Sequence, residues 1–330
     1  MVGFFLSIKK QFTYYIYSMK KSLKILLKIV VGLFVFLNIV IMFHAYKFTH
    51  HYDEGQVTVV AEKDKTGWDK TKEMLFGFNM LKQKNIAPDS AFKTVKITTA
   101  DKTILDTWYS KVPNEKGCVA MFHGHASKKS NMIPEASEFQ KQGYSTLMVD
   151  LRAHGNSTGN RCSIGFYEGE DIKASYDYIA GIGTKNIVLY GISLGASSIT
   201  KAMNDYEITP SSIILEMPFG TLPEAVAGRV KMMGLPAQPM ATLLTFWGGV
   251  ENGFWAFGMK PTEYVKKIKC PVLLQWGKND PRVSKKEIDE IFANITATKK
   301  LVVYDSSGHQ SLCENENLKW TTEVAAFLPK

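Results

Sequence analysis

Hydrophobic and polar positions follow two patterns along most of the chain. Continuous apolar runs are typical of strands that are buried on both faces, and stretches with apolar residues at helical spacing separate most of these runs. The runs occupy 118–123, 144–150, 186–192, 211–217, 271–277 and 299–304, and the helical stretches occupy 131–142, 167–181, 194–204, 284–294 and 315–328. Before them, 93–99 and 103–110 alternate as an antiparallel hairpin does. The order predicts an α/β domain with a mostly parallel eight-stranded sheet, flanked by helices and carrying an antiparallel edge.

The N-terminal segment has a different pattern. Residues 29–46 are uncharged and mostly apolar, and with Ile25 as the starting point the stretch reaches 22 residues, about 33 Å of helix, which is enough to cross a bilayer. Six of the seven lysines in the first 52 residues precede or open this stretch, and no acid does. The positive-inside rule therefore predicts a cytoplasmic basic segment over 1–24, a transmembrane signal anchor over 25–46 and an extracytoplasmic domain after it.

Two further interpretations concern this end of the chain. Export followed by signal cleavage is the alternative to an uncleaved anchor, although residues 43–47 offer no small-x-small cleavage site. Met19-Lys20-Lys21 has the composition of the start of an anchor, so we expect residues 1–18 to be an upstream extension. N-terminal sequencing of the natural protein tests both points.

The remaining chain is predicted to divide into a linker and one domain. Residues 47–91 are interpreted as a linker with a helical lead-in over 68–85, and residues 92–330 as the α/β domain. One interval of this domain, 219–259, has no strand pattern and is rich in Met, Gly, Pro and aromatic residues. We expect it to form a lid with apolar walls over the functional edge of the sheet; helices packed on the core are the alternative.

Charge and cysteine content narrow the function classes. The formal charge of +9 is concentrated in the N-terminal segment, and after residue 52 the remaining 33 basic residues nearly balance 31 acidic ones. The domain therefore lacks the basic stripe that a nucleic-acid partner needs. The four cysteines have no metal-ligand spacing, and a disulfide between Cys162 and Cys313 stays open because both fall in predicted loops on the same side of the sheet.

The chemistry centres on Gly191-Ile-Ser193-Leu-Gly195, where a buried strand turns into a helix. A serine at such a turn adopts a sparsely allowed backbone conformation, and glycines two residues on either side relieve the close approach of strand and helix. The turn exposes Ser193 Oγ above the sheet and places the Leu194 N–H near the helix start, where it is suited to stabilise an oxyanion.

Two later strand ends supply the partners that a serine nucleophile needs. Asp280 follows the strand at 271–277, and His309 follows the strand at 299–304. Because functional groups gather at the carboxyl ends of parallel strands, Ser193, Asp280 and His309 are expected to meet as nucleophile, orienting acid and base. Glu216, at the end of the strand at 211–217, is the fallback acid.

His123-Gly124-His125 closes the strand at 118–123. The backbone N–H of His125 is predicted to join the Leu194 N–H as the second oxyanion donor. A metal site made of His123, His125, Asp150 and His154 is the rival interpretation, but these residues lack a ligand-spacing motif and leave the serine constellation unexplained.

Residues 93–328 resemble the α/β-hydrolase superfamily, in the branch of serine aminopeptidase-like and membrane-anchored bacterial hydrolases. The matching motifs are His-Gly-x at 123–125, Asp-x-Arg-x-His-Gly-x-Ser-x-Gly at 150–159, the serine turn at 191–195, Gly-x-x-Asp-x-x-Val at 277–283 and Gly-His at 308–309. Ala153 stands where that family usually has glycine. The resemblance implies Ser193 as nucleophile, His309 as base and then acid, Asp280 as orienting acid, and an acyl-enzyme that water resolves without a metal or organic cofactor.

The combined prediction is a membrane-anchored serine hydrolase that cleaves a carboxylic ester of a small, fairly apolar acyl compound. A serine peptidase or acyltransferase with the same triad is one alternative, and a catalytically silent fold that binds ligands at the membrane is another. The membrane is the expected partner through the N-terminal helix, no cofactor is expected, and the oligomeric state stays open.

Overall fold

The computed structural model describes residues 2–86 and 92–329, with the backbone alone described for residues 2–10 and 12. The predicted boundary between linker and domain, at 91/92, lies at the end of the segment 87–91, which is outside the described residues. The helices are α1 Val2–Thr49, α2 Gly67–Phe76, α3 Ile133–Lys141, α4 Glu168–Gly181, α5 Leu194–Asp205, α6 Leu222–Met232, α7 Met240–Asn252, α8 Pro261–Tyr264, α9 Lys285–Asn294, α10 Leu312–Asn315 and α11 Asn317–Phe327. Short 3-10 helices lie at Glu62–Asp64, Lys129–Met132, Ala256–Gly258 and Val265–Lys267.

The strands agree closely with the apolar runs of the sequence. They are β1 His51–Tyr52, β2 Met80–Leu81, β3 Lys93–Thr98, β4 Ile104–Ser110, β5 Gly117–Phe122, β6 Tyr144–Val149, β7 Ile187–Ile192, β8 Ser212–Glu216, β9 Val272–Gly277 and β10 Lys299–Tyr304. Strands β5, β6, β8 and β9 are buried at every residue, which explains why their sequences are apolar without alternation.

Eight strands form one sheet in the order β10-β9-β8-β7-β5-β6-β4-β3. The pairs β3–β4 and β4–β6 are antiparallel, and the other neighbouring pairs are parallel. The predicted fold class, a mostly parallel eight-stranded sheet with an antiparallel edge and flanking helices, is confirmed. Because β5, β7, β8, β9 and β10 run in the same direction, their carboxyl ends meet at one edge, which is called the catalytic rim below.

The predicted helical lead-in over 68–85 is wrong in its second half. Helix α2 begins with a capping box at Thr66 and Asp69, but it ends at Phe76 because Gly77 has φ 71° and ψ 170°, which a helix does not accommodate. Beyond it, Met80 and Leu81 pair in parallel with His51 and Tyr52. The apolar spacing after Gly77 therefore reflects a short strand pairing and not a helix.

The N-terminal segment forms the single helix α1, and its part from Thr13 to Thr49 is long and apolar enough to cross a membrane. Most of its apolar side chains are exposed, whereas Ile41 and Ala45 near its C-terminal end are buried. Helix α7 packs against it, and Trp247 Nε1 donates a hydrogen bond of 3.1 Å to Asn38 Oδ1. The segment that the sequence predicts to be a lid, residues 219–259, therefore contacts α1 directly; it is called the lid segment below.

All four cysteines are free thiols in the structure, and Cys162 and Cys313 are both buried. The disulfide that the sequence left open between them is not formed. Burial raises the pKa of Cys162 well above the ordinary thiol range. Cys162 and Cys313 therefore act as small apolar side chains of the core.

Candidate active site

Ser193 lies at the turn between β7 and α5. Its backbone has φ 51° and ψ −105°, a strained conformation for a residue with a side chain. The flanking glycines allow this turn: a Cβ at Gly195 would lie 2.2 Å from Phe122 O, and a Cβ at Gly191 would lie 2.6 Å from Ala196 N. Backbone hydrogen bonds from Ser193 N–H to Glu216 O (2.7 Å) and from Gly195 N–H to His123 O (3.2 Å) hold the turn in place.

The structure brings Ser193, His309 and Asp280 together at the catalytic rim. His309 Nε2 lies 2.9 Å from Ser193 Oγ, and His309 Nδ1 lies 2.7 Å from Asp280 Oδ2. The Asp280 side chain is fully buried. These distances allow Nδ1–H to donate to the carboxylate, which leaves Nε2 unprotonated and able to accept the serine proton.

The backbone after β9 fixes the Asp280 carboxylate. Its Oδ1 accepts hydrogen bonds from the N–H groups of Arg282 (2.7 Å) and Val283 (3.0 Å), and its Oδ2 remains for His309. Hydrogen bonds to a carboxylate favour its charged form and restrict its rotation. The local turn therefore orients the acid, and the acid orients the imidazole.

Glu216, the fallback acid, points elsewhere. Its Oε1 accepts hydrogen bonds from Trp320 Nε1 (2.6 Å) and Gln275 Nε2 (3.3 Å), and burial raises the pKa of Glu216 to about 8. A carboxyl group that keeps its proton near neutral pH is a poor electrostatic partner for an imidazolium. Glu216 contributes to the serine turn through its backbone carbonyl, which accepts the hydrogen bond from Ser193 N–H.

The turn after β5 lies beside the serine. A Cβ at Gly124 would lie 3.7 Å from Ser193 Cβ, so the absence of a side chain keeps this approach open. Within the part of the chain that the structure describes, the N–H groups of His125 and Leu194 donate no turn, loop or capping hydrogen bond to a backbone carbonyl. An oxyanion hole requires backbone N–H groups that are not used in this way.

Two histidines of the rival metal site, His123 and His154, already have hydrogen-bond partners, whereas neither buried ring nitrogen of His125 has one in the described part of the chain. His123 Nε2 accepts from Leu151 N–H (3.2 Å) and its Nδ1 lies 2.7 Å from Gly124 O, while His154 Nε2 accepts from Ala126 N–H (3.1 Å) and its Nδ1 lies 2.8 Å from Arg152 O. Asp150 binds the buried Lys129 ammonium at 2.6 Å. Among the described residues, no group of three or more candidate ligands has metal-binding geometry.

The end of α1 and the residues just after it contribute to the site, which the sequence did not indicate. The Phe48 ring stacks on the His125 ring with centroids 4.6 Å apart, and His51 Nδ1 lies 3.1 Å from Ala153 O. Burial lowers the pKa of His51 to about 4, so this ring is neutral near pH 7. Neither periodicity nor a motif relates residue 48 to residue 125, since the contact depends on how α1 docks on the domain.

Comparison with known proteins supports the architecture. Residues 113–250 match the family model described as serine aminopeptidase, S33. The esterase PF2001 of Pyrococcus furiosus superposes with a TM-score of 0.63 and 23% identity, over 76% of this chain and 98% of that esterase. The chain has the α/β-hydrolase fold, and part of its sequence is similar to that family model. The predicted resemblance to α/β hydrolases is thus confirmed, and the segment that matches the family model includes Ser193 and its flanking glycines.

Two curated relatives of this α/β hydrolase are informative. The uncharacterized protein YqkD of Bacillus subtilis is 24% identical over 214 residues, which are 64% of this chain and 70% of YqkD. Lysophosphatidylserine lipase ABHD12 of Xenopus tropicalis is 26% identical over 187 residues, which are 53% of this chain and 46% of the lipase. The alignment thus spans about half the length of the lipase. Together the similarities support a hydrolase with an esterase- or lipase-like fold.

Proposed function

We propose that this α/β hydrolase is a serine esterase that cleaves carboxylic esters of fairly apolar acyl compounds. The observation that carries the proposal is the hydrogen-bonded series from Ser193 Oγ through the His309 ring to Asp280. A serine hydroxyl needs an adjacent base to become a nucleophile near neutral pH, and this arrangement supplies the base and its orienting acid.

The reaction begins with acylation. Ser193 Oγ attacks the ester carbonyl carbon while His309 Nε2 takes the hydroxyl proton. The carbonyl oxygen becomes an oxyanion, which the N–H groups of Leu194 and His125 stabilise. When the tetrahedral intermediate collapses, the bond to the leaving alcohol breaks and His309 returns the proton to the alcohol oxygen. The acid part of the substrate is then esterified to Ser193.

Water completes the cycle. His309 Nε2 removes a proton from a water molecule that attacks the acyl-enzyme, and the same N–H groups stabilise the second oxyanion. The bond to Ser193 Oγ breaks, the proton moves from His309 to that oxygen, and the free carboxylic acid leaves. Asp280 stays ionised throughout and stabilises the imidazolium that forms in each half.

The choice of an ester over a peptide rests on the lid segment. Its uncharged stretch from Met232 to Val250 and the exposed Phe246 and Trp255 supply apolar surface suited to acyl chains. The match to the serine aminopeptidase model favours a peptidase as the second candidate. A peptidase that binds a free N-terminus needs an acidic anchor. Here, by contrast, burial lowers the pKa of His125, and the permanent positive charges of two arginines, Arg229 and Arg282, lower it further.

We also propose that α1 anchors the enzyme in a membrane, with its N-terminus in the cytoplasm and the hydrolase domain outside. The lysines before and at the start of the apolar stretch support this orientation. Protease treatment of spheroplasts tests this orientation. An extracytoplasmic domain is digested in intact spheroplasts, whereas a domain that is digested only after lysis contradicts the orientation.

Covalent labelling tests the nucleophile. The full chain should react with a fluorophosphonate probe, and Ser193→Ala should abolish the reaction. Ser197→Ala is the matched control. Ser197 lies on helix α5, four residues after Ser193, and its buried hydroxyl has no hydrogen-bond partner among the described residues. Absence of labelling in the folded wild-type chain would favour a silent binding fold.

A substrate panel tests the reaction class. We expect p-nitrophenyl esters to be cleaved with a rate that depends on acyl chain length, and aminoacyl anilides to be cleaved far more slowly. An added alcohol that captures most of the acyl group in place of water would indicate an acyltransferase. Faster cleavage of the anilides would replace the esterase proposal with a peptidase.

A further inference from the structure

Two half-buried arginines beside the site have no acidic partner. Arg152 pairs with three carboxylates, those of Asp101, Glu170 and Asp171. Arg229 and Arg282, by contrast, form no ion pair with any residue in the described ranges. The Arg282 Nε is buried and has no hydrogen-bond partner. Positive charges in a half-buried setting are unfavourable without a counter-charge, so this pair requires an explanation.

Packing brings the two arginines to the same place. Helix α6 rests on the loop after β9, where a Cβ at Gly228 would lie 2.4 Å from Arg282 O. Arg229 follows Gly228, and its guanidinium carbon lies 5.3 Å from the centroid of the Phe48 ring. Burial and the neighbouring Arg282 charge lower the pKa of Arg229, as expected for two cations held close together.

The same contacts connect the arginines to the catalytic rim. Phe48 stacks on His125, whose N–H is the proposed oxyanion donor, and the Arg282 N–H binds Asp280 Oδ1. Burial lowers the pKa of His125 well below its usual range, and the charges of Arg229 and Arg282 lower it further. Arg229, Phe48 and His125 therefore form a continuous series of contacts next to the proposed oxyanion hole, and the Arg282 backbone joins the same region through Asp280.

We propose that Arg229 and Arg282 form an anion subsite that binds a carboxylate or phosphate group of the ester substrate. Guanidinium groups bind such anions through charge-assisted, often bidentate hydrogen bonds. The bound anion supplies the missing counter-charge and fixes the substrate relative to Ser193. The inference rests on the proposed esterase function and adds the substrate class: esters that carry a negative group near the scissile bond.

Matched ester pairs test the subsite in the full-length enzyme. Mono-p-nitrophenyl succinate, glutarate and adipate carry a terminal carboxylate that p-nitrophenyl butyrate, pentanoate and hexanoate lack. We expect Arg229→Gln and Arg282→Gln each to lower kcat/KM by about tenfold for the anionic ester of at least one chain length. For Arg229→Gln, neutral-ester kcat/KM should change by less than about twofold, which also shows that this variant folds.

Arg161→Gln is the control, since Arg161 is exposed and its guanidinium lies over the Tyr167 ring. It should leave all the ratios unchanged. Equal losses for anionic and neutral esters at every chain length, or the same change in Arg161→Gln, would overturn the subsite. Hydrolysis of the neutral esters by the wild type keeps this result separate from the proposed function, which the labelling experiment and the substrate panel test independently.

A second, independent observation concerns helix α7. The chain from Met232 to Val250 carries no charge, and Met233, Phe246 and Val250 expose large apolar side chains. Trp247 binds Asn38, which lies eight residues, or about 12 Å of helix, before the end of the predicted span at Tyr46. A helix packed on α1 at that depth lies inside the bilayer if α1 spans it.

We propose that α7 is embedded in the membrane leaflet on the side of the hydrolase domain, with acyl chains of that leaflet covering its exposed face. The pairing of Trp247 with Asn38 satisfies two polar groups that would otherwise face hydrocarbon. Because α7 belongs to the lid segment, the cover of the catalytic rim would open toward lipid. The inference rests on the proposed membrane anchor.

Environment-sensitive labelling tests this placement in nanodiscs of zwitterionic lipid. A dye on Val250→Cys should show the blue-shifted emission of an apolar setting and should be quenched by doxyl-labelled lipids. A dye on Leu318→Cys, which is 81% exposed on α11, should respond to aqueous iodide only. A dye on Val35→Cys reports the anchor itself.

The outcomes separate the two claims. Quenching by lipid at positions 35 and 250 supports the embedded helix. Quenching by lipid at position 35 and by iodide at position 250 overturns it while the anchor stands. Iodide quenching at both positions overturns the anchor, and with it the embedded helix.

Discussion

The catalytic rim and its cover are built on different principles. At the rim, Ser193, Asp280 and His309 are fixed by a strained turn, by backbone N–H groups and by strand ends within one sheet. The proposed cover consists of the end of α1 and the lid segment, which expose several large apolar side chains. From this difference we expect the chemistry to depend on local structure and the substrate choice to depend on long-range packing.

The largest effect should come from the rim. Ser193→Ala removes the proposed nucleophile, so we expect kcat for p-nitrophenyl esters to fall by at least about a thousandfold. Thermal stability should change little, because the hydroxyl contributes no buried packing. A variant that retains more than about a tenth of the wild-type kcat would place the nucleophile elsewhere.

The acid comes next. Asp280→Asn should lower kcat by roughly 10³- to 10⁴-fold, because the amide no longer holds the imidazole in the tautomer with Nε2 free. Glu216→Gln should change kcat by less than about threefold, since its carboxyl contacts Trp320 and Gln275 and not His309. Steady-state kinetics of the two variants decide the assignment, and the reverse ranking would make Glu216 the orienting acid.

A cover residue should have a smaller, substrate-dependent effect. Phe48→Ala removes the ring stacked on His125. We therefore expect KM for longer acyl esters to rise by roughly three- to tenfold. The rate of fluorophosphonate labelling at saturating probe should stay the same as in the wild type. Phe43→Ala is the control, since Phe43 packs on Phe76. A loss of kcat for every substrate in Phe48→Ala would mean that the cover also positions the catalytic groups.

The smallest effect concerns stability alone. Burial raises the pKa of Glu216 from its ordinary value of 4.5 to about 8, so the folded protein keeps a proton that the unfolded chain loses above pH 4.5. Its contribution to stability is therefore full below pH 4.5 and declines as the pH rises to about 8, with a slope of at most about 1.4 kcal/mol per pH unit. Melting temperatures between pH 5 and 8 should fall less in Glu216→Gln than in the wild type. Parallel curves would contradict this, and the exposed Glu207→Gln should match the wild type.

The rim could be predicted from the sequence because its signals are local. The glycines around Ser193 and the polar residues that follow β9 and β10 are visible as short motifs at the ends of apolar runs. The same local logic failed at 68–85, where apolar spacing continued past Gly77 although the backbone at that glycine ends the helix. Helical spacing alone does not distinguish a continuing helix from a short strand.

The cover could not be predicted because it depends on contacts between distant segments. The stacking of Phe48 on His125, the approach of Arg229 to Arg282 and the hydrogen bond from Trp247 to Asn38 all arise from how α1 and the lid segment dock on the domain. Composition indicated an apolar lid and an apolar anchor, but it did not indicate that the two pack together. Tertiary packing supplied that information.

Identifying the acylated residue is the decisive test of Ser193 as the nucleophile. The full-length enzyme would be mixed with a p-nitrophenyl ester, quenched in acid within the first turnovers, digested and analysed by mass spectrometry. If Ser193 is the nucleophile, a single acyl group appears on the peptide that contains Ser193, formed in step with a burst of one p-nitrophenol per enzyme. An acyl group on another residue, or continued hydrolysis with no acylated Ser193 at any time, would contradict this assignment.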